Sequence, residues 1–84
     1  MAEEKATVIV KLHKRKYQSD VEIPLNITAN ELVLALNSAY ELGIDVTNAR
    51  NCYLKSENPI ALLRGNKLLS EFGIRNGTII NYTE

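Results

Sequence analysis

The chain has no tryptophan, one cysteine, one histidine, one methionine and two prolines among its 84 residues. With only Cys52 there is no internal disulfide to staple so small a core, which points to a reducing compartment. With only His13, no two-histidine metal site can form. Net charge is lacking as well. Ten basic and ten acidic side chains cancel, so no overall field drives the molecule onto nucleic acid or a lipid surface. No apolar run approaches the roughly 20 residues of a membrane span. The opening MAEEKATVIV carries acids where a secretory signal carries bases. A cytoplasmic location is expected, and in that setting the Asn-x-Thr triplets at Asn26, Asn76 and Asn81 are chance matches.

What is present suits one globular domain. A hydrophobic share of 45% argues against disorder, while the length is near the lower limit for an autonomous core. Residues 1–5 are expected to fray, and residues 6–84 to form a single domain. TVIVKLH alternates, with Val8, Val10 and Leu12 on one side and Thr7, Ile9, Lys11 and His13 on the other. SDVEIPL repeats the pattern with Val21, Ile23 and Leu25 inward. Together these predict a hairpin whose second strand lies at a sheet edge, because Pro24 cannot donate to a ladder.

Thr28-Ala29-Asn30-Glu31 has the spacing of a capping box and opens a helix. Ile27 and Leu32 occupy the positions of a hydrophobic staple. Leu32, Val33, Leu36, Ala39 and Tyr40 form the expected buried stripe, Leu34 points away from it, and Gly43 is placed to end the helix. A third strand is expected over Asn51–Ser56, with Cys52 and Leu54 inward and Tyr53 and Lys55 outward. Glu57-Asn58-Pro59 reads as a turn, Ile60–Leu63 as a short apolar run, Leu69–Ile74 as one helical turn stopped by Gly73, and Thr78–Tyr82 as a last strand after Asn76-Gly77. The order β-β-α-β-β-short helix-β implies an α+β fold of the β-grasp kind. In it a mixed sheet of four to five strands packs on one main helix, with the first and last strands parallel at the centre.

Catalytic chemistry is not visible. Cys52 is expected in the core and His13 outside it. The serines have no nearby base, and the four glycines sit singly at element ends rather than in a phosphate-cradling loop. Neither enzyme activity nor a cofactor nor a metal is expected.

ITANELVLAL after a hairpin, followed by LLRGNKLLSEFGIRNGTIINY, resembles ubiquitin and its relatives. The closing signature is Leu69-x-x-Phe72-Gly73-Ile74-x-Asn76-Gly77 and a strand. More narrowly, the chain resembles the bacterial ubiquitin-like proteins of the YukD/EsaB type, associated with type VII secretion. The resemblance implies a binding module whose partners are components of the secretion machinery. The conjugated relatives carry a flexible tail ending in Gly-Gly. Tyr82-Thr83-Glu84 has none, so no covalent conjugation to targets is expected.

Three surfaces are candidates for recognition. On the sheet face away from the helix, alternation places Ile9, Lys11, Tyr53, Lys55, Ile79 and Asn81. The last two follow from the resemblance, whose family pattern, counted from Ile74, sets Ile80 and Tyr82 inward. Ile9, Tyr53 and Ile79 would form an apolar centre with a charged rim, the anatomy of a binding patch. Relatives of ubiquitin commonly bind through this face. Leu34 on the outer helix face is a secondary candidate. So is the basic hairpin tip, Lys14, Arg15 and Lys16 with Lys11 and His13. The tip reads as a solvated turn, a dock for an acidic protein or lipid headgroup, or an RNA site with Tyr17 as its only stacking residue. Neutral net charge favours the protein-binding reading over nucleic acid. A docked partner could hold the chain at the inner face of the membrane.

Overall fold

The computed structural model describes residues 4–48 and 50–82. Thr83 and Glu84, on which the reading of the chain's ending rests, lie outside them. Five strands form one sheet in the order β2-β1-β5-β3-β4: β1 Lys5–Leu12, β2 Tyr17–Pro24, β3 Leu54–Glu57, β4 Ala61–Leu63 and β5 Ile79–Tyr82. Helix α1, Ala29–Tyr40, crosses one face, and a 3₁₀ turn, Leu69–Phe72, precedes β5. β1 pairs with β2 antiparallel and with β5 in parallel at the sheet centre, and β2 lies at the edge, as Pro24 requires. The sheet begins slightly earlier than expected. Lys5 is in β1, and the Leu25 N–H donates to the Glu4 carbonyl at 2.9 Å.

Every second residue of β1 (Ala6, Val8, Val10, Leu12) is buried, and Ile23, Leu54, Leu63 and Ile80 join them under Ala29, Leu32, Val33 and Leu36 of the helix. The phases expected for β1, β2 and β3 from alternation hold, as does that of β5 from the family pattern, with Ile80 1% exposed and Tyr82 packed partly against the core. Cys52 is a buried free thiol in the same cluster.

The helix start is the capping box expected. Thr28 Oγ1 accepts from the Glu31 N–H at 3.1 Å, and Glu31 Oε1 accepts from the Thr28 N–H at 3.1 Å. The Ala29 and Asn30 N–H groups donate to the Lys67 and Gly65 carbonyls, so the first-turn donors are satisfied within the fold.

Three details differ from the expectation. Ala39 is exposed and Ala29 takes its place in the stripe. Ala39 instead borders a surface depression near the hairpin tip with Leu12, Arg15 and Tyr17. The helix ends at Glu41, in the left-handed region at φ 52°, two residues before Gly43. Asn37 explains the early stop. Its carbonyl accepts the Leu42 N–H, and its side-chain amide exchanges two hydrogen bonds with the Ile44 backbone, at 2.9 and 3.2 Å. Finally, β3 starts at Leu54 rather than Asn51, because the Asn51 N–H is spent in a turn on the Asn48 carbonyl.

Candidate functional site

Among the described residues, no second α-helix covers the face of the sheet away from α1. The strand registers lay its side chains out in rows. One row runs Asp20, Ile9, Ile79, Glu57 across β2, β1, β5 and β3. The next runs Gln18, Lys11, Asn81, Lys55, Leu62 and reaches β4. Five of the six residues expected on this face are thus brought together on three adjacent strands. Ile9 and Ile79 are direct partners and half-buried. Lys11 and Lys55 flank Asn81, roughly 10 Å apart at two strand spacings.

Tyr53 is not part of an apolar centre with the isoleucines. It precedes β3, four residues from the Glu57 that stands opposite Ile79, a distance of about 13 Å along a strand. Half-buried, it lines a separate depression of about 280 Å³ with Gly43, Ile44, Asp45 and Lys55.

The middle of the face is polar. Asn81 points outward yet is only 8% exposed. Its Nδ2 donates to Glu57 Oε2 at 2.9 Å, and its Oδ1 lies 2.6 Å from His13 Nε2. A carboxylate can only accept, so the Asn81 amide nitrogen faces Glu57 and its oxygen faces His13. His13 Nε2 must then carry the hydrogen. This belt ties β5 to β3 and to the residue that follows β1. Sequence reading missed it because His13 and Glu57 stand 68 and 24 residues from Asn81, and no local pattern reports such pairs.

Beyond the belt lies the β4 edge. Ile60 is 89% and Leu62 43% exposed. Together with His13, Lys55, Glu57 and Asn81 they line a shallow depression of about 570 Å³. The sequence shows Ile60–Leu63 as an apolar run without alternation, so its phase was unreadable. Pairing with β3 decides it. Leu63 stands opposite Leu54 and enters the core, which turns Leu62, opposite Lys55, outward.

The basic hairpin tip is not one free patch. Arg15 Nη1 and Nη2 donate to the Tyr40 and Glu41 carbonyls at 2.5 and 2.7 Å. The last turn of α1 has no basic residue of its own, so Arg15 supplies from the hairpin the positive charge that a helix C-terminus favours. Tyr17, the candidate stacking residue, packs on Tyr40 with ring centroids 5.7 Å apart. Burial, and then the neighbouring Tyr17, hold the Tyr40 hydroxyl above its ordinary pKa. Lys14 also has an interaction partner, and Lys16 is exposed in the left-handed last position of the turn. Leu34 is 47% exposed on the outer helix face. Among the described residues, no group of three His, Cys, Asp or Glu side chains could hold a metal ion, and no helix is long and apolar enough to cross a membrane.

Residues 7–81 match the family model described as YukD, a protein of the WXG100 protein secretion system. No curated protein is matched. Among solved structures, a ubiquitin-like domain from tubulin-binding cofactor B is 16% identical, covers 95% of this chain and 89% of its own, and superposes with a TM-score of 0.74. The C-terminal ubiquitin-like domain of mouse tubulin-specific chaperone e is 12% identical, with coverage of 100% and 92% and a TM-score of 0.68. The ubiquitin-like domain of Plasmodium falciparum Dsk2 is 17% identical, with coverage of 95% and 100% and a TM-score of 0.61. At these identities the likeness is one of fold, and the fold is ubiquitin-like.

Proposed function

The chain belongs to the YukD family of the WXG100 protein secretion system, and from that premise we propose that it is a cytoplasmic recognition module of that system. It binds a component of the secretion machinery through the open face of its sheet. The observation that carries this reading is the uncovered face itself. Lys11, Lys55, Ile9, Ile79 and Leu62 stand there on strands whose opposite sides are packed into the core. A sheet packed on one side presents such side chains from a backbone that is already ordered, which lowers the cost of binding. The nucleic-acid reading loses its support, because Arg15 and Tyr17 are engaged with the end of α1.

The test is complementation of a deletion strain, scored by the amount of WXG100 protein secreted. Ile9→Ala and Tyr53→Ala sample the two apolar parts of the face, with circular dichroism and melting used to verify folding. Each folded variant is expected to lower secretion. If both restore it fully, the open face is not the functional surface, and Leu34 or Lys16 becomes the next place to look.

A further inference from the structure

Resting on that reading, we propose that the docking subsite is the β3–β4 end of the open face. Its occupant is an acidic segment of a partner protein that seats one aliphatic side chain on Ile60, Ala61 and Leu62 and sets a carboxylate beside Lys55.

Five large hydrophobic residues are exposed among the described residues: Tyr17, Leu34, Val46, Ile60 and Leu62. Ile60 and Leu62 are the two of them that line one depression together. Tyr17 and Val46 border separate ones. Adjoining aliphatic surface at a sheet edge gains most from being covered. The strand that carries it is braced from behind. Ser56 Oγ donates to the Pro59 carbonyl at 2.7 Å, Thr78 Oγ1 to the Asn58 carbonyl at 2.8 Å, and Arg75 Nη2 to Asn58 Oδ1 at 2.9 Å. Ile60 is therefore presented by a turn that is held in place, although its side chain touches water almost everywhere.

Charge selects the occupant. Lys55 is the direct partner of Leu62 across β3 and β4, and Lys11 stands one strand beyond Asn81 in the same row. Neither lysine forms an ion pair among the described residues. The carboxylate in the depression, Glu57, already accepts the Asn81 amide. An apolar anchor with an acid about one strand spacing away is complementary to this arrangement. A second copy of the chain is not. A two-fold contact is isologous, so each copy would have to bring its own acid to the other's Lys55, and the acid of this depression, Glu57, is already engaged by Asn81. A nucleic-acid strand would bring phosphates onto Glu57, and the depression has no Phe, Tyr or Trp in its lining for bases to stack on, its one ring being His13, held by Asn81.

The experiment is quantitative secretion of the WXG100 protein by a deletion strain carrying the full chain as wild type, Lys55→Arg, Lys55→Gln, Lys55→Glu or the double variant Ile60→Ser with Leu62→Ser. All these side chains lie outside the core, so melting should verify an intact fold. The double variant and Lys55→Glu should each lower secretion at least fivefold. The lysine series should order as Arg near wild type, then Gln, then Glu. If Ile9→Ala and Tyr53→Ala lower secretion while these variants do not, the open face stands and this subsite falls. If none of them lowers secretion, both fall. Two binding results would also overturn the assignment. One is self-association in sedimentation that vanishes in the double variant, which would make the occupant a second copy. The other is binding of a uridine oligonucleotide that vanishes in Lys55→Glu, which would assign the anion to phosphate.

Discussion

On the side of the sheet turned to the helix, Val8, Val10, Leu54, Leu63 and Ile80 are each at most 2% exposed. On the other side the same strands carry Ile9, Lys11, Lys55, Leu62 and Asn81, where hydrogen bonds from His13 and to Glu57 do the ordering. The covered side is aliphatic and closely packed, and its specificity is one of shape, so a lost methylene is felt throughout. The open side is held by a few directional bonds, and most of its side chains can change without leaving a cavity. On the proposed reading, stability and recognition lie on opposite sides of one sheet, a few ångströms apart.

The largest expected effect is on the covered side. Leu36 lies mid-helix, 6% exposed, in the cluster that holds Val10, Ile23 and Leu54. Leu36→Ala should cost about 2–5 kcal/mol in urea unfolding, a large part of what so small a domain has. A loss under about 0.5 kcal/mol, the range of ordinary surface changes, would mean that the two sides are not so different.

A smaller effect is expected where the hairpin meets the helix. Arg15→Ala removes two hydrogen bonds to the last carbonyls of α1. It should cost about 1 kcal/mol, and hydrogen exchange should speed up selectively in the last turn of the helix. An unchanged exchange pattern would show that Arg15 is an ordinary solvated cation.

The smallest effect is electrostatic. The Thr47 hydroxyl, and then its N–H, donate to Asp45 Oδ1 and hold this exposed carboxyl below its ordinary value of 3.8. A carboxyl depressed in the folded state favours folding above its unfolded pKa, and the benefit is lost as pH falls through the folded one. Asp45 should titrate in a ¹³C NMR series below 3.8, and Thr47→Val should bring it part of the way back. An Asp45 that already titrates at the ordinary value would mean that the Thr47 bonds do not persist in solution.

Much of the covered side was legible in the sequence, because its causes are local and periodic. Thr28 and Glu31 announce the helix start, alternation along β1 assigns Val10 to the core, and the family pattern counted from Ile74 assigns Ile80. Ala39 shows the limit of periodicity. Helical spacing places it near the stripe but does not tell that it borders the open depression beside Arg15 and Tyr17. The open side was legible in membership and not in organisation. Ile9, Lys11 and Lys55 follow from alternation, and Ile79 and Asn81 from the family pattern. The His13–Asn81–Glu57 belt depends on pairings distant in sequence, and the outward turn of Leu62 depends on β3 supplying the register. Arg15 had a faint signal, since a helix with no base in its last turn invites one from elsewhere.

The central claim is that recognition belongs to the open face and not to the outer face of the helix. It is tested most directly by secretion of the WXG100 protein from a deletion strain carrying one of two folded double variants. The first, Lys11→Glu with Lys55→Glu, reverses charge on the open face. The second, Leu34→Ala with Ser38→Lys, alters the exposed helix surface away from its capping residues. The account predicts secretion reduced at least tenfold by the first and unchanged by the second. Wild-type secretion from the first together with a loss in the second would contradict it.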